Sequence, residues 1–127
     1  MSEKTVAQKL GLKVGKTLLL KQQPDNAAEL IGALPSGAAL ITTGNKPSGL
    51  ILMFAKDKAA LIKGLPNCKS LLEPGGALWV AYIKGTSQKI TDINRDSIRE
   101  YVSTIGLDTV SQIAIDEDWS ALRLKVV

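Results

Sequence analysis

The chain has 127 residues, enough for one domain that buries roughly two thirds of the surface of its unfolded state. Hydrophobic residues make up 45% of it and charged residues 22%, as in an ordinary globular protein. Histidine is absent and Cys68 is the only cysteine, which excludes His-based catalysis, His-ligated metals, multi-cysteine zinc sites and intrachain disulfides. We expect Cys68 to be a small, partly buried residue rather than a nucleophile, because its usual activating base is missing.

Charge and hydropathy bound the location and the partners. No apolar run approaches the ~20 residues that span a bilayer, and the first residues lack the apolar core of a secretory signal. Both observations predict a cytoplasmic protein without a membrane partner. Residues 1–21 carry a net charge of +4 and residues 22–127 a net charge of zero. We interpret residues 1–16 as a basic lead-in with a short helix. Nucleic-acid binding through its lysines is the alternative, although no aromatic residue lies among them to stack on bases.

The hydrophobic pattern predicts helices that alternate with strands, followed by two closing strands. Helices are expected at residues 5–12, from 24 or 25 to about 34, from an N-cap at 57 with an interruption or restart at 66, and at 94–105. Strands are expected at residues 17–22, 38–43, 50–55, 77–83, 109–115 and 122–126. A tight Pro-Gly-Gly turn, residues 74–76, is expected to precede the fourth strand.

This order of elements predicts one α/β domain over residues 1–127, three-layered and Rossmann-like. We expect a mostly parallel sheet of about six strands in the order 2-1-3-4-6-5, with the last strand antiparallel and helices on both faces. The arrangement resembles a shortened class I methyltransferase-like sheet. Its strand order reverses between the first and third strands, so ligands are expected beside residues 22–26 and 55–58.

A polar segment follows the fourth strand, at the edge where open α/β sheets bind ligands. A lysine, a glycine and two hydroxyl groups in this segment are suited to holding a phosphate or a carboxylate. Arg95 and Arg99 share a face of the next helix, near its N-terminus, where the helix dipole disfavours cations. An ordinary solvated loop, with ion pairs on the helix surface and Asp92 or Asn94 as a cap, is the alternative. The candidate binding residues here are Lys84, Thr86, Ser87, Asp92 and Arg95.

Two tryptophans receive different interpretations. Trp79 lies in an apolar strand and is predicted to be a core residue. Trp119 lies within the predicted turn at residues 116–120 between the last two strands, where it covers the hairpin or forms an interaction surface. Arg123 is expected to stack on Trp119 or to pair with Asp116 or Asp118. The acidic run in that turn is predicted to be solvated, since neighbouring residues of an extended chain point in opposite directions. Neither a metal nor a cofactor is predicted.

Three stretches, "LLEPGGALWVAYIKGTS", "TDINRD" and "IDEDWSALRLKV", together resemble a small bacterial family catalogued only as a domain of unknown function. Its pattern has a Pro-Gly-Gly turn leading into a Trp-bearing strand that ends in lysine, an Asp-x-x-Arg helix start, and a late Trp-Ser near an arginine. The sequence departs from it at Ile83, where the family often has proline. The resemblance implies a Rossmann-like fold and no established activity. The matching residues are Trp79, Lys84, Asp92, Arg95, Trp119, Ser120 and Arg123.

The likeness to true class I methyltransferases stops at the architecture. Those enzymes cradle their cofactor with a glycine-rich turn after the first strand, and "KQQPDN" at residues 21–26 contains no glycine. An acidic residue that grips the ribose is also missing after the second strand. We therefore expect a non-catalytic binding or regulatory module whose partner is an unknown protein or an anionic small molecule. An enzyme or nucleotide binder with an atypical pocket is the alternative, and pairing of second strands in a homodimer is a further possibility.

Overall fold

The computed structural model describes residues 5–42, 46–83, 93–116 and 118–127, which contain a six-stranded sheet in the order β2-β1-β3-β4-β6-β5. Strands β1 to β4 are parallel, and β6 runs antiparallel to both β4 and β5. The predicted strand order and the direction of the last strand are thereby confirmed. The strands are β1 (Thr17–Lys21), β2 (Ala39–Ile41), β3 (Ser48–Ala55), β4 (Leu72–Ile83), β5 (Leu107–Ala114) and β6 (Trp119–Val126).

Four helices complete the three layers. Helices α1 (Val6–Leu10) and α2 (Ala27–Ile31) bury residues on one face of the sheet. Helices α3 (Lys58–Leu71) and α4 (Arg95–Ser103) pack on the other face, α3 against β3 and β4 and α4 against β5. No helix in the part of the chain that the structure describes is long and apolar enough to cross a membrane.

The face under α1 and α2 contains the aromatic core. Trp79 is 3% exposed, as predicted for a core residue, and its indole Nε1 donates a hydrogen bond of 3.0 Å to the Leu10 carbonyl at the end of α1. Ala7 and Leu12 are also buried, whereas the lysines between and after them are exposed. Among the described residues of the basic lead-in, Ala7, Leu10 and Leu12 therefore belong to the core, while its lysines lie in solvent.

The face under α3 and α4 contains a mainly aliphatic core with one thiol and the buried Tyr82. Cys68 lies in α3 and is 1% exposed, packed in the same core as Met53 and Leu61. Burial raises the pKa of the Cys68 thiol to about 11, partly opposed by the positive charge of Lys21. A buried thiol with a raised pKa is a poor nucleophile, in agreement with the structural role predicted for this residue.

Capping side chains begin the two longer helices, and α3 then runs further than expected. Asp57 accepts a hydrogen bond from the Ala60 amide, and Asn94 accepts one from the Ser97 amide. The predicted interruption at Pro66 is wrong, because α3 is one helix that contains this proline. Burial of Leu65 before Pro66 and of Cys68 after it packs both halves against the sheet, which outweighs the helix-breaking tendency of proline.

Two other predictions fail at their boundaries. Helix α2 has only five residues and ends at the C-cap Gly32, so Leu34, at the end of the predicted helix, lies beyond it and is 36% exposed. The predicted tight turn lies inside β4 as a bulge: Leu72 pairs with Ser48, and the next aligned pair is Ala77 with Leu50. A Cβ on Gly76 would lie 2.8 Å from the carbonyl oxygen of Gly49. Glycine therefore allows the bulge to lie directly against β3.

Candidate functional site

A cavity lies at the carboxyl edge of the sheet, where the strand order reverses between β1 and β3. Its volume is about 520 Å³, within the range of small-molecule sites. The loop after β1, the end of β3, the start of α3 and the first residue of β6 form its walls. We call it the switch-point cavity. Its lining residues are Gln22, Gln23, Pro24, Phe54, Lys56, Ala60, Lys63 and Trp119.

The loop after β1 has an unusual backbone at Gln22. This residue has a φ of +55°, in the left-handed region that glycine normally occupies. Its side chain lies against Gly64 of α3, where an added Cβ would come 2.8 Å from Gln22 Cδ and 2.9 Å from Met53 Sδ. The missing side chain at Gly64 therefore makes room for that of Gln22. The turn shares one backbone feature of a glycine loop but presents an amide side chain at that position.

An aromatic pair forms the apolar wall of the cavity. Phe54 near the end of β3 and Trp119 at the start of β6 contact edge to face, with ring centroids 5.2 Å apart and an interplanar angle of 84°. Phe54 is 2% exposed and Trp119 9%, so most of each ring belongs to the core. Trp119 thus packs in the core and also lines the cavity, while the interaction surface considered for it stays a prediction.

Two lysines supply the charge of the cavity. Lys56 follows β3 directly, and Lys63 lies on α3 about one turn after Ala60. None of the eight lining residues is acidic, so the two charged side chains that line the cavity are both cations. The described residues also contain no group of three or more acidic or cysteine side chains placed to hold a metal ion. The arrangement is suited to holding an anion beside an apolar surface.

The candidate residues predicted after the fourth strand fall into two groups. Lys84, Thr86, Ser87 and Asp92 lie outside the described residues. Arg95 is the first residue of α4 and lines a separate cleft of about 230 Å³ against β5 and β6, together with Arg99.

Arg95 also acts on the hydroxyl of Tyr82 at the end of β4. Burial raises the pKa of Tyr82, while the charge of Arg95 lowers it and that of Asp96 raises it. Arg95 therefore belongs to the α4 side of the sheet. The structure does not bring it to the switch-point cavity.

Arg123 and the acidic turn also lie apart from that cavity. Arg123 is exposed on β6, where Trp79 of β4 and Ser111 of β5 are its cross-strand neighbours. Four residues of extended strand, about 13 Å, separate its backbone from that of Trp119. The Asp116 carboxylate accepts hydrogen bonds of 2.8 Å from the amides of Asp118 and Trp119. This local turn positions Trp119, and Asp116 acts through backbone amides.

The sequence predicts the location of the cavity but only part of the residues that form its wall. The strand order placed a ligand beside residues 22–26 and 55–58, and the cavity lies there. Lys63 was missed, although Ala60 and Lys63 have the spacing i, i+3 that places residues on one side of a helix. The contribution of Gln22 had no sequence signal, because nothing in "KQQPDN" indicates a left-handed residue.

Comparison by sequence identifies the family. Residues 37–127 match the family described as "Protein of unknown function (DUF3052)", and the chain belongs to this family. The match covers β2 to β6 and begins after the first loop. No curated protein matches the chain by sequence.

Comparison of structures finds methyltransferases. The CcbJ methyltransferase from Streptomyces caelestis is 8% identical with a TM-score of 0.61, covering 95% of this chain and 87% of that one. A SAM-dependent methyltransferase from Aquifex aeolicus is 12% identical with a TM-score of 0.59, covering 96% and 88%. The glycopeptide N-methyltransferase MtfA in complex with sinefungin is 11% identical with a TM-score of 0.60, covering 95% and 83%. At these identities the likeness establishes a methyltransferase-like Rossmann fold and nothing further.

Proposed function

We propose that this member of a family without an assigned function is a binding module that takes up an anionic small molecule in the switch-point cavity and does not transfer methyl groups. The observation that carries the proposal is the cavity lining. It combines two lysines, two glutamine side chains and an aromatic wall, without an acidic side chain. Lysines attract phosphate or carboxylate groups, glutamine amides donate to their oxygens, and the Phe54–Trp119 pair offers an apolar contact.

The same lining argues against a methyl donor of the adenosylmethionine type. The sulfonium of that molecule is a cation, and Lys56 and Lys63 would repel it in a partly enclosed site. Its ribose is normally gripped by an acidic residue after the second strand, and the residues from 40 to 46 read "LITTGNK". Gln22 also presents a side chain where a glycine would let the cofactor approach the backbone.

The absence of catalysis is proposed on the chemistry of the side chains. Proton transfer at neutral pH commonly uses histidine or a carboxylate with a tuned pKa. The chain contains no histidine, and the eight lining residues contain neither a carboxylate nor a thiol. Their lysines and amides are equipped to orient an anion. They include no ordinary base for its conversion.

A thermal-shift panel tests the proposal. It contains nucleoside phosphates, aryl phosphates, acyl-CoA, dinucleotides and S-adenosylmethionine. A ligand present at about 100 times its Kd stabilises the protein by ~2.7 kcal/mol. We expect a shift with at least one anion that carries an apolar body, and none with S-adenosylmethionine. A clear shift with S-adenosylmethionine, or no shift with any anion, contradicts the proposal.

Matched variants locate the site. Lys63→Gln should abolish the shift, whereas Lys58→Gln, which removes an exposed charge from the same helix outside the cavity, should preserve it. The double variant Lys84→Gln/Arg95→Gln tests the segment after β4 that the sequence singled out. Loss of the shift in the double variant, together with its retention in Lys63→Gln, would transfer the site to that segment.

A further inference from the structure

A second cavity of about 610 Å³ lies at the opposite end of the sheet, near the amino ends of β1 and β3. Three exposed lysines surround it, Lys13 and Lys16 from the segment before β1 and Lys46 from the segment before β3, with Glu73 as the single acidic lining residue. Lys13 and Lys16 belong to the stretch of residues 1–21 that holds the whole excess charge of the chain. We call this cavity the lysine groove.

The floor of the lysine groove is apolar because, among the described residues, no helix packs closely over β2 on the face that α3 and α4 cover. Strand β2 is connected to β3 by only six residues, whereas a parallel crossover commonly takes a dozen or more and includes a helix. Helix α3 covers β3 and β4 further along the sheet. The paired residues Leu19 and Ile41 therefore line the groove, and Ile41 is 39% exposed.

An edge strand adjoins the groove. Strand β2 has three residues and ends the sheet, so β1 is its one partner within the described chain. The outer side of an edge strand presents backbone donors and acceptors that another extended segment can pair with. Ile41 belongs both to this strand and to the lining of the groove. A segment added to β2 would thus lie beside the lysines.

We propose that the lysine groove docks an extended acidic segment of a partner protein, which adds to the edge of β2. In an extended segment the residues at positions i, i+2 and i+4 point to the same side, so these positions face the groove together. Carboxylates at such positions complement Lys13, Lys16 and Lys46, and an apolar residue at another of them covers the exposed Ile41. The combination of an aliphatic floor with a cationic rim selects for acidic and apolar residues that are two positions apart.

Charge and lining disfavour the other occupants. A nucleic acid would be held through its phosphates, but no aromatic residue lines the groove to stack on its bases, and Ile41 would stay uncovered. A second copy of this chain, paired through β2, would offer the lysines no carboxylate from the pairing strand, since β2 consists of Ala39, Leu40 and Ile41.

Selection from a library of random twelve-residue peptides displayed on phage tests this proposal. Peptides selected on the wild-type protein should be enriched in Asp or Glu together with an apolar residue at positions i, i+2 and i+4. Their affinity, measured by fluorescence anisotropy, should fall at least about tenfold in the triple variant Lys13→Gln/Lys16→Gln/Lys46→Gln. The matched control Lys9→Gln/Lys58→Gln/Lys125→Gln removes the same charge from exposed positions outside the groove and should keep the affinity within about twofold. Ile41→Glu should weaken binding like the triple variant, and Val126→Glu, at another exposed apolar residue, should not.

Each alternative has its own outcome. Failure to enrich any peptide, enrichment of peptides without acidic residues, or equal binding to both triple variants would overturn the proposal. So would a single-stranded oligonucleotide that competes with the selected peptides for the same lysines. A dimer in sedimentation equilibrium that Ile41→Glu dissociates would identify a second copy as the occupant, and would also overturn it. All these substitutions are at exposed positions, so unchanged thermal melting curves establish that the variants are folded.

Discussion

The two faces of the sheet are covered in different ways. Helices α1 and α2 have five residues each, too few to be stable on their own, and they cover the face that contains Phe54, Trp79 and Trp119. Helices α3 and α4 have 14 and nine residues, and a side chain caps the first turn of each. They cover the other, mainly aliphatic face. On the first face, large aromatic residues of the sheet hold short helices in place. On the second, the helices contribute more of their own stability.

The largest effect is expected at Trp79, the link between the sheet and α1. Trp79→Ala should lower the free energy of unfolding by ~3–5 kcal/mol, because it leaves a cavity and removes the hydrogen bond to the Leu10 carbonyl. Urea unfolding followed by circular dichroism measures this. Trp79→Phe keeps most of the ring and should cost less, with the lost hydrogen bond contributing ~1–3 kcal/mol. A cost below about 1 kcal/mol for Trp79→Ala would mean that the aromatic residue does not anchor this face.

An intermediate effect is expected from pH on the second face. The pKa of Cys68 rises from its ordinary value of 9.0 to about 11 in the folded protein, so the unfolded chain loses this proton first. The contribution of this thiol to the free energy of unfolding is fully present below pH 9 and is lost as the pH rises to about 11. It amounts to at most ~2.7 kcal/mol, since one pKa unit corresponds to about 1.4 kcal/mol. Unfolding in urea between pH 8 and pH 11 should therefore show a steeper loss of stability for the wild type than for Cys68→Ala. Parallel curves would refute the contribution of this thiol.

The smallest effects are expected at the helix caps. Asn94→Ala and Asp57→Ala each remove an acceptor of a first-turn amide and should cost ~1 kcal/mol, measured by thermal or urea unfolding. Thr5→Ala removes the corresponding acceptor from α1. In that variant, hydrogen exchange should increase in α1 more than in α2, α3 or α4, because packing alone would then hold this short helix. An equal increase of the hydrogen-exchange rate in all four helices would contradict the contrast between the two faces.

The sequence predicted the architecture because its signals were periodic and local. Apolar runs marked the buried strands, and Asp57 and Asn94 marked the starts of two helices, so that strand order and direction followed from the rules of βαβ connections. The predicted ends of two helices were wrong in opposite directions: α3 continues through Pro66, and α2 ends already at Gly32. Burial on both sides of Pro66 kept α3 continuous, while the backbone at Gly32 ended α2 earlier than its apolar pattern suggested. Tertiary packing decided both cases.

The candidate sites were less accessible to sequence reasoning. The edge of the sheet was predictable from the strand order, and the residues that share that edge were not. Trp119 comes from β6 yet contacts Phe54 of β3, a long-range contact for which the sequence carries no marker. Arg123 was expected to contact Trp119 or an acidic residue of the turn; it shares a face of the sheet with Trp119 but lies four positions along β6. Arg95 lies on α4, which packs on the opposite face. The lysine groove depends on a short crossover whose consequence appears only once the sheet is assembled.

The central claim is that the switch-point cavity holds an anion through Lys63 beside Trp119. The most direct measurement is an NMR titration of isotope-labelled protein with the anion that gives the largest thermal shift, followed at the backbone amides and at the Trp119 indole NH. We expect the signals that shift on titration to cluster at Gln22 and Gln23, at residues 56–63 and at Trp119. In Lys63→Gln, the same signals should not shift when the anion is added. Shifts confined to residues 84–95, or a cluster in the cavity produced by S-adenosylmethionine, would contradict it.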